Sequence, residues 1–109
     1  MAECICVIAY KTDDINMLPY QLIRRIDRKW QQLRAEYEAE GKPLDYMFTA
    51  TVIESVSNYF VRTDDYDQLL FLVANRGILH EHYGKILQHY TKTGKDLTEN
   101  DRSLDDADD

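Results

Sequence analysis

A chain of 109 residues has room for one domain, and 44% hydrophobic residues with only four Gly and two Pro set it apart from fibrous and disordered compositions. No run approaches the roughly 18 apolar residues needed to cross a bilayer, and the opening MAECICVIAYKTDD has no basic leader, so the expectation is a soluble cytoplasmic protein. The formal net charge is −7. Seven of the 20 acids and only one of the 13 bases fall in residues 96–109, so the body before them is nearly neutral.

Residues 3–10, ECICVIAY, read as a strand buried on both faces. Cys4 and Cys6 then share one strand face, a poor geometry for a mutual disulfide, and with no second Cys pair to complete a metal site they read as reduced packing residues. After KTDDIN, Pro19 suits a first helical position. Ile23, Ile26, Trp30, Leu33 and Tyr37 recur at steps of three and four, and Gly41 stands where a C-terminal cap belongs. The spacing predicts a helix to Glu40, roughly 33 Å long.

Residues 46–62, YMFTATVIESVSNYFVR, support two readings. Tyr46, Phe48, Ala50 and Val52 alternate as in a strand, while Met47, Ala50, Ile53, Val56 and Phe60 would line one side of a helix. The density of Thr, Val, Ile, Tyr and Phe favours a hairpin turning at Glu54 to Asn58. A further helix is expected from Asp64 or Asp65, either of which can cap it, carrying Leu69, Leu70, Leu72 and Val73. Asn75, Arg76 and Gly77 punctuate the chain before a last helix from Ile78 to Tyr90, with Leu79, Tyr83, Ile86, Leu87 and Tyr90 on its apolar side. The expected fold is α+β in the order β-α-β-β-α-α, a small antiparallel or mixed sheet packed by the long first helix; the alternative is a mainly α fold. Residues 1–95 form the single globular domain. Residues 96–109, with Leu97, Leu104 and Ala107 as their only apolar side chains, are expected to be a disordered acidic tail.

The opening strand, the long helix and a strand running into a helix at SNYFVRTDDYDQL resemble the first part of a ferredoxin-like fold, as in the small CRISPR-associated nucleases and the virulence-associated ribonucleases. The resemblance implies a metal-dependent nuclease with an acid at the end of the first strand. Tyr10 and Lys11 stand there in this chain, and Asp13 and Asp14 follow.

The residues themselves point away from catalysis. His80 and His82 are two apart and so face different sides of a helix, and His82 and His89 are two turns apart, about 10 Å, too far for one ion; no metal or cofactor is expected. The pairs Asp13–Asp14 and Asp64–Asp65 read as caps answering a helix dipole, and Glu81 with Lys85 as an i, i+4 pair. There is no GxSxG and no phosphate-cradling Gly-rich loop.

What remains is charge. Arg24, Arg25, Arg28 and Lys29 put four bases within six residues of the first helix, either as its solvated face or as a phosphate-binding stripe. The first functional expectation is a non-catalytic binding protein: a stoichiometric inhibitor or adaptor of a protein partner, of the kind phages and mobile elements use against nucleic-acid-handling host enzymes. Its contacts would be Asp101, Asp105, Asp106, Asp108 and Asp109 of the tail, or a tyrosine-rich face. The second is a nucleic-acid binder or ferredoxin-like nuclease using the basic stripe, with Asp13 or Asp14 on a metal. The third is a homodimer formed through the first helix. Stripe and tail have opposite signs, which also allows the tail to fold back and screen the stripe.

Overall fold

The computed structural model describes residues 10–93, and every regular element in that span is helical. A 3-10 turn, Ile15–Met17, precedes α1 (Tyr20–Glu40), α2 (Tyr46–Arg62), α3 (Tyr66–Ala74) and α4 (Arg76–Thr93). The expected α+β fold is therefore corrected to the mainly α alternative: no strand and no sheet occur among the described residues, so the ferredoxin-like plan and its β-α-β-β-α-α order are not present there. The proposed opening strand lies outside the described residues except for Tyr10, as do Cys4, Cys6 and the whole acidic tail.

The decisive segment is 46–62. It is one helix, and its buried side chains are Phe48, Thr49, Val52, Ile53, Val56, Ser57 and Phe60. Positions 48, 52, 56 and 60 form one i+4 ridge and 49, 53 and 57 the adjacent one, a pattern only a 3.6-residue period can bury. The strand-like alternation at Tyr46 to Val52 arises because the two N-terminal residues, Tyr46 and Met47, are left largely exposed. β-Propensity loses to burial here, since most helical stability comes from packing an apolar face. Asp45 opens the helix by accepting a hydrogen bond from the Met47 N–H at 3.0 Å, and the Thr51 hydroxyl is absorbed by the Met47 carbonyl one turn back at 2.8 Å.

α1 matches the sequence reading closely. Ile26 and Trp30 are buried, Ile23, Leu33 and Tyr37 pack partly against the core, and Leu22, one turn before Ile26 and absent from the predicted set, is fully buried as well. Pro19 sits one residue before the helix rather than in its first turn, and its carbonyl accepts the N–H groups of Leu22 and Ile23. Gly41 ends α1 at φ +74°, the left-handed conformation that lets its own N–H reach Glu38 and the Lys42 N–H reach Tyr37.

α1 and α4 clasp one another through aromatic rings tipped with hydroxyls. Trp30 meets Phe48 and Tyr90 edge to face, each at 5.7 Å. Tyr83 donates to Asp27 Oδ1 at 2.6 Å and Tyr90 to Glu38 Oε2 at 2.6 Å, so the phenol tips pair with α1 carboxylates while the rings stay apolar. α3 starts where expected, with Asp65 as cap accepting from Gln68 N–H, and Asp64 before it adopts a left-handed φ of +60°.

A single residue, Asn75, separates α3 from α4, so the segment predicted to punctuate the chain does so in one step and Gly77 lies inside α4. Asn75 is buried, and its amide is fully used: Oδ1 accepts from the Thr12 N–H at 2.8 Å, and Nδ2 donates to the carbonyls of Tyr10 at 2.6 Å and Phe71 at 2.9 Å. Tyr10 also meets Phe71 edge to face at 4.2 Å.

Two measurements check this architecture. Phe48→Ala should lower stability by about 3–5 kcal/mol in urea unfolding, because it empties the α1–α2–α4 junction, whereas Asp45→Ala should cost about 1 kcal/mol, the loss of one cap. Burial, and then the Asp27 carboxylate, holds the Tyr83 phenol well above its ordinary range. A raised folded value means that stability is intact below the unfolded tyrosine value near pH 10 and is lost as pH rises beyond it. Alkaline titration of tyrosinate absorbance should therefore show one phenol ionising only as the helices unfold, and Tyr83→Phe should remove that late step.

Candidate functional site

The basic stripe spans two sides of α1. Arg24 and Arg28 are one turn apart, as are Arg25 and Lys29, and all but Arg24 line a cavity against α2. There they meet Ser55, Tyr59 and Arg62 across a cavity of about 90 Å³. Arg25, Arg28, Lys29 and Arg62 bring four positive charges to this cavity, and no acidic residue lines it. The Arg25 guanidinium lies over the Tyr59 ring at 3.9 Å and donates to its hydroxyl at 3.0 Å, which fixes one cation in place, while Lys29 Nζ donates to Gln32 Oε1 at 3.2 Å.

Arg25 and Tyr59 also wall a wider chamber of about 410 Å³ toward the start of α1, completed by Tyr20, Gln21, Arg24 and Asp65. Arg24 lies 5.3 Å from the centre of the Tyr20 ring. The two hollows share two walls and form one groove between α1 and α2.

Arg62 is the functional candidate that sequence reading missed. Its signal was the i, i+3 and i, i+7 spacing to Tyr59 and Ser55, which exists only on a helix. Reading 46–62 as a hairpin scattered those residues, and the corrected helix gathers them opposite the stripe.

Other sequence candidates fall elsewhere. Asp13 and Asp14 face Glu81, His82 and Lys85 across a different cavity of about 260 Å³. Asp14 is occupied as a turn cap, accepting the Asn16 N–H at 3.0 Å. Among the described residues no set of three or more His, Cys, Asp or Glu is arranged to hold a metal ion. The histidines are dispersed: His80 stacks on Tyr46 at 5.3 Å, His82 meets Tyr83 edge to face at 4.9 Å, and His89 is exposed. Glu81 and Lys85 form the expected exposed pair at 3.7 Å. The tail candidates Asp101, Asp105, Asp106, Asp108 and Asp109 lie outside the described residues, and no described helix is long and apolar enough to cross a membrane.

Burial, and secondarily the Lys85 charge, hold the half-buried His82 imidazole below its ordinary value. A depressed histidine leaves the folded state with fewer protons than the unfolded chain, so stability is complete above about pH 6.5 and declines as pH falls through the folded value. Thermal midpoints measured from pH 7.5 to 5 should fall less steeply in His82→Gln than in the wild type.

Comparison of the chain with protein-family models, with curated proteins and with solved structures found no match, so the functional reading rests on the groove's own chemistry.

Proposed function

We propose that this chain is a non-catalytic binding protein that grips a polyanion, the phosphate backbone of a nucleic acid, in the α1–α2 groove. The carrying observation is the cavity where Arg25, Arg28, Lys29 and Arg62 converge without a lining carboxylate. A phosphate placed among four cations is attracted by each of them and its binding releases counterions from the nucleic acid. Three of the four are guanidinium groups or lie beside one, and guanidinium geometry suits paired hydrogen bonds to phosphate oxygens.

A second reading keeps a protein as partner, and a separate observation favours it. With seven acids and one base in residues 96–109, the carboxylates are concentrated on a segment that complements Arg- and Lys-lined clefts. On that reading the protein is a stoichiometric inhibitor or adaptor of a nucleic-acid-handling enzyme, and the groove holds either the same nucleic acid or the tail itself.

Fluorescence anisotropy with a labelled oligonucleotide tests the groove. With about three to four phosphate contacts, affinity should drop on the order of 50-fold between about 50 and 200 mM salt, and the Arg28→Glu, Lys29→Glu double variant should lose binding while keeping its helical circular dichroism. Replacing Asp105, Asp106, Asp108 and Asp109 by Asn should raise nucleic-acid affinity if tail and ligand compete for the groove; the same variant losing a protein partner in pull-downs would favour the second reading. Binding that is absent at low salt in both the wild type and the neutralised-tail variant would sink the groove reading.

A further inference from the structure

Resting on the phosphate reading of the groove, we propose that its ligand is single-stranded rather than duplex nucleic acid, with an unstacked base laid on Tyr20 and the adjoining phosphates held at Arg25, Arg28, Lys29 and Arg62. The groove has two compartments of different chemistry. The narrow one, about 90 Å³, is walled by cations with Ser55 and Tyr59 as hydroxyl donors, a setting for phosphate oxygens. The wide one, about 410 Å³, has the rings of Tyr20 and Tyr59, the Asp65 carboxylate and the guanidinium groups of Arg24 and Arg25 among its walls. A carboxylate accepts a hydrogen bond from the exocyclic amino group of a base, so the wide compartment, with two rings and both signs of charge, suits a base, and the narrow one, with cations alone, suits the backbone.

The rings are unequally available. One face of Tyr59 is covered by the Arg25 guanidinium at 3.9 Å, whereas Tyr20 is 55% exposed. Arg24 lies over one face of Tyr20 as well, but farther off at 5.3 Å, so the half-exposed Tyr20 ring is the more open stacking platform. The form of the ligand follows from the shape of the groove. A protein that reads a duplex pushes a convex helix into the major groove, about 12 Å wide. Here Arg25 and Lys29 are half-buried along a concave edge between two helices, a shape that a flexible strand follows more readily than a rigid duplex does. One base on Tyr20 and the next phosphates among Arg25, Arg28, Lys29 and Arg62 match the two adjoining compartments.

The test uses the full chain with a fluorescein-labelled strand of about 16 nucleotides that cannot self-pair, and the same sequence annealed as a duplex. The single strand is expected to bind at least about ten-fold more tightly. Tyr20→Ala should weaken single-strand binding by about 5- to 100-fold with an unchanged salt slope, and Tyr20→Phe should restore it, because the ring and not the hydroxyl carries stacking. Lys29→Gln should instead flatten the salt slope by about 0.7, one single-strand phosphate contact. Equal or tighter duplex binding, or a Tyr20→Ala variant that binds as the wild type does, overturns the single-strand inference and leaves the phosphate groove standing. Failure of both nucleic-acid forms to bind, or binding indifferent to Arg28→Glu with Lys29→Glu, overturns both.

Discussion

The burial of α2 is the constraint from which the rest of the structure follows. Seven of its 17 residues are buried, on two adjacent ridges that together occupy nearly half its circumference. One neighbouring helix cannot cover so wide a face, so α1 closes one flank and α4 the other, with Trp30 of α1 and Tyr90 of α4 meeting at Phe48. α1 and α4 are then brought together beyond α2, and the contact is sealed by the Tyr83–Asp27 and Tyr90–Glu38 hydrogen bonds. α3 is too short to bury more than Leu72 and serves as the return from α2 to α4, fixed at its far end by Asn75.

Where one element's chemistry was decided locally, the sequence was readable. α1 announces itself by an unbroken 3-4 spacing and by a glycine at the one position that needs a left-handed backbone; the caps at Asp65 and the start of α3 follow from side-chain chemistry alone. The segment 46–62 was misread because its residues are β-branched and aromatic, which on propensity alone speaks for strands, while the evidence for a helix lies in what the other three helices bury against it. That one error removed Arg62 and Tyr59 from view as partners of the stripe. Hence the α1 half of the groove was legible as Arg24, Arg25, Arg28 and Lys29, and the α2 half was not.

The groove is a by-product of that packing put to chemical use. α1 and α2 meet along Leu22, Ile26 and Trp30 on one side and Val52, Val56 and Phe60 on the other, and just outside this seam Arg25 of α1 reaches across to Tyr59 of α2. At that edge an all-apolar choice would have closed the gap. The chain instead places Tyr59 and Ser55 on α2 and Arg25 and Lys29 on α1, and the Arg25–Tyr59 contact props the edge open while satisfying both groups.

The charge order along α1 sharpens the point. Peptide dipoles favour acids at a helix N-terminus and bases at its C-terminus, each by about 0.3–1 kcal/mol. α1 has no acid in its first turn and no base in its last; Arg24 and Arg25 stand near the positive end, and Glu36, Glu38 and Glu40 near the negative end. At the C-terminal end the cost is offset locally, by Arg34 on Glu38 at 3.4 Å, Lys42 on Glu40 at 3.0 Å and the Tyr90 hydroxyl on Glu38. At the N-terminal end Arg24 and Arg25 lie over the rings of Tyr20 and Tyr59 at 5.3 and 3.9 Å, and Arg25 joins Arg28, Lys29 and Arg62 round the narrow cavity. Departures from local rules gather at functional sites, and the cationic end of α1 is where the groove lies. An anion bound there, as proposed, lies among the four cations that line the narrow cavity.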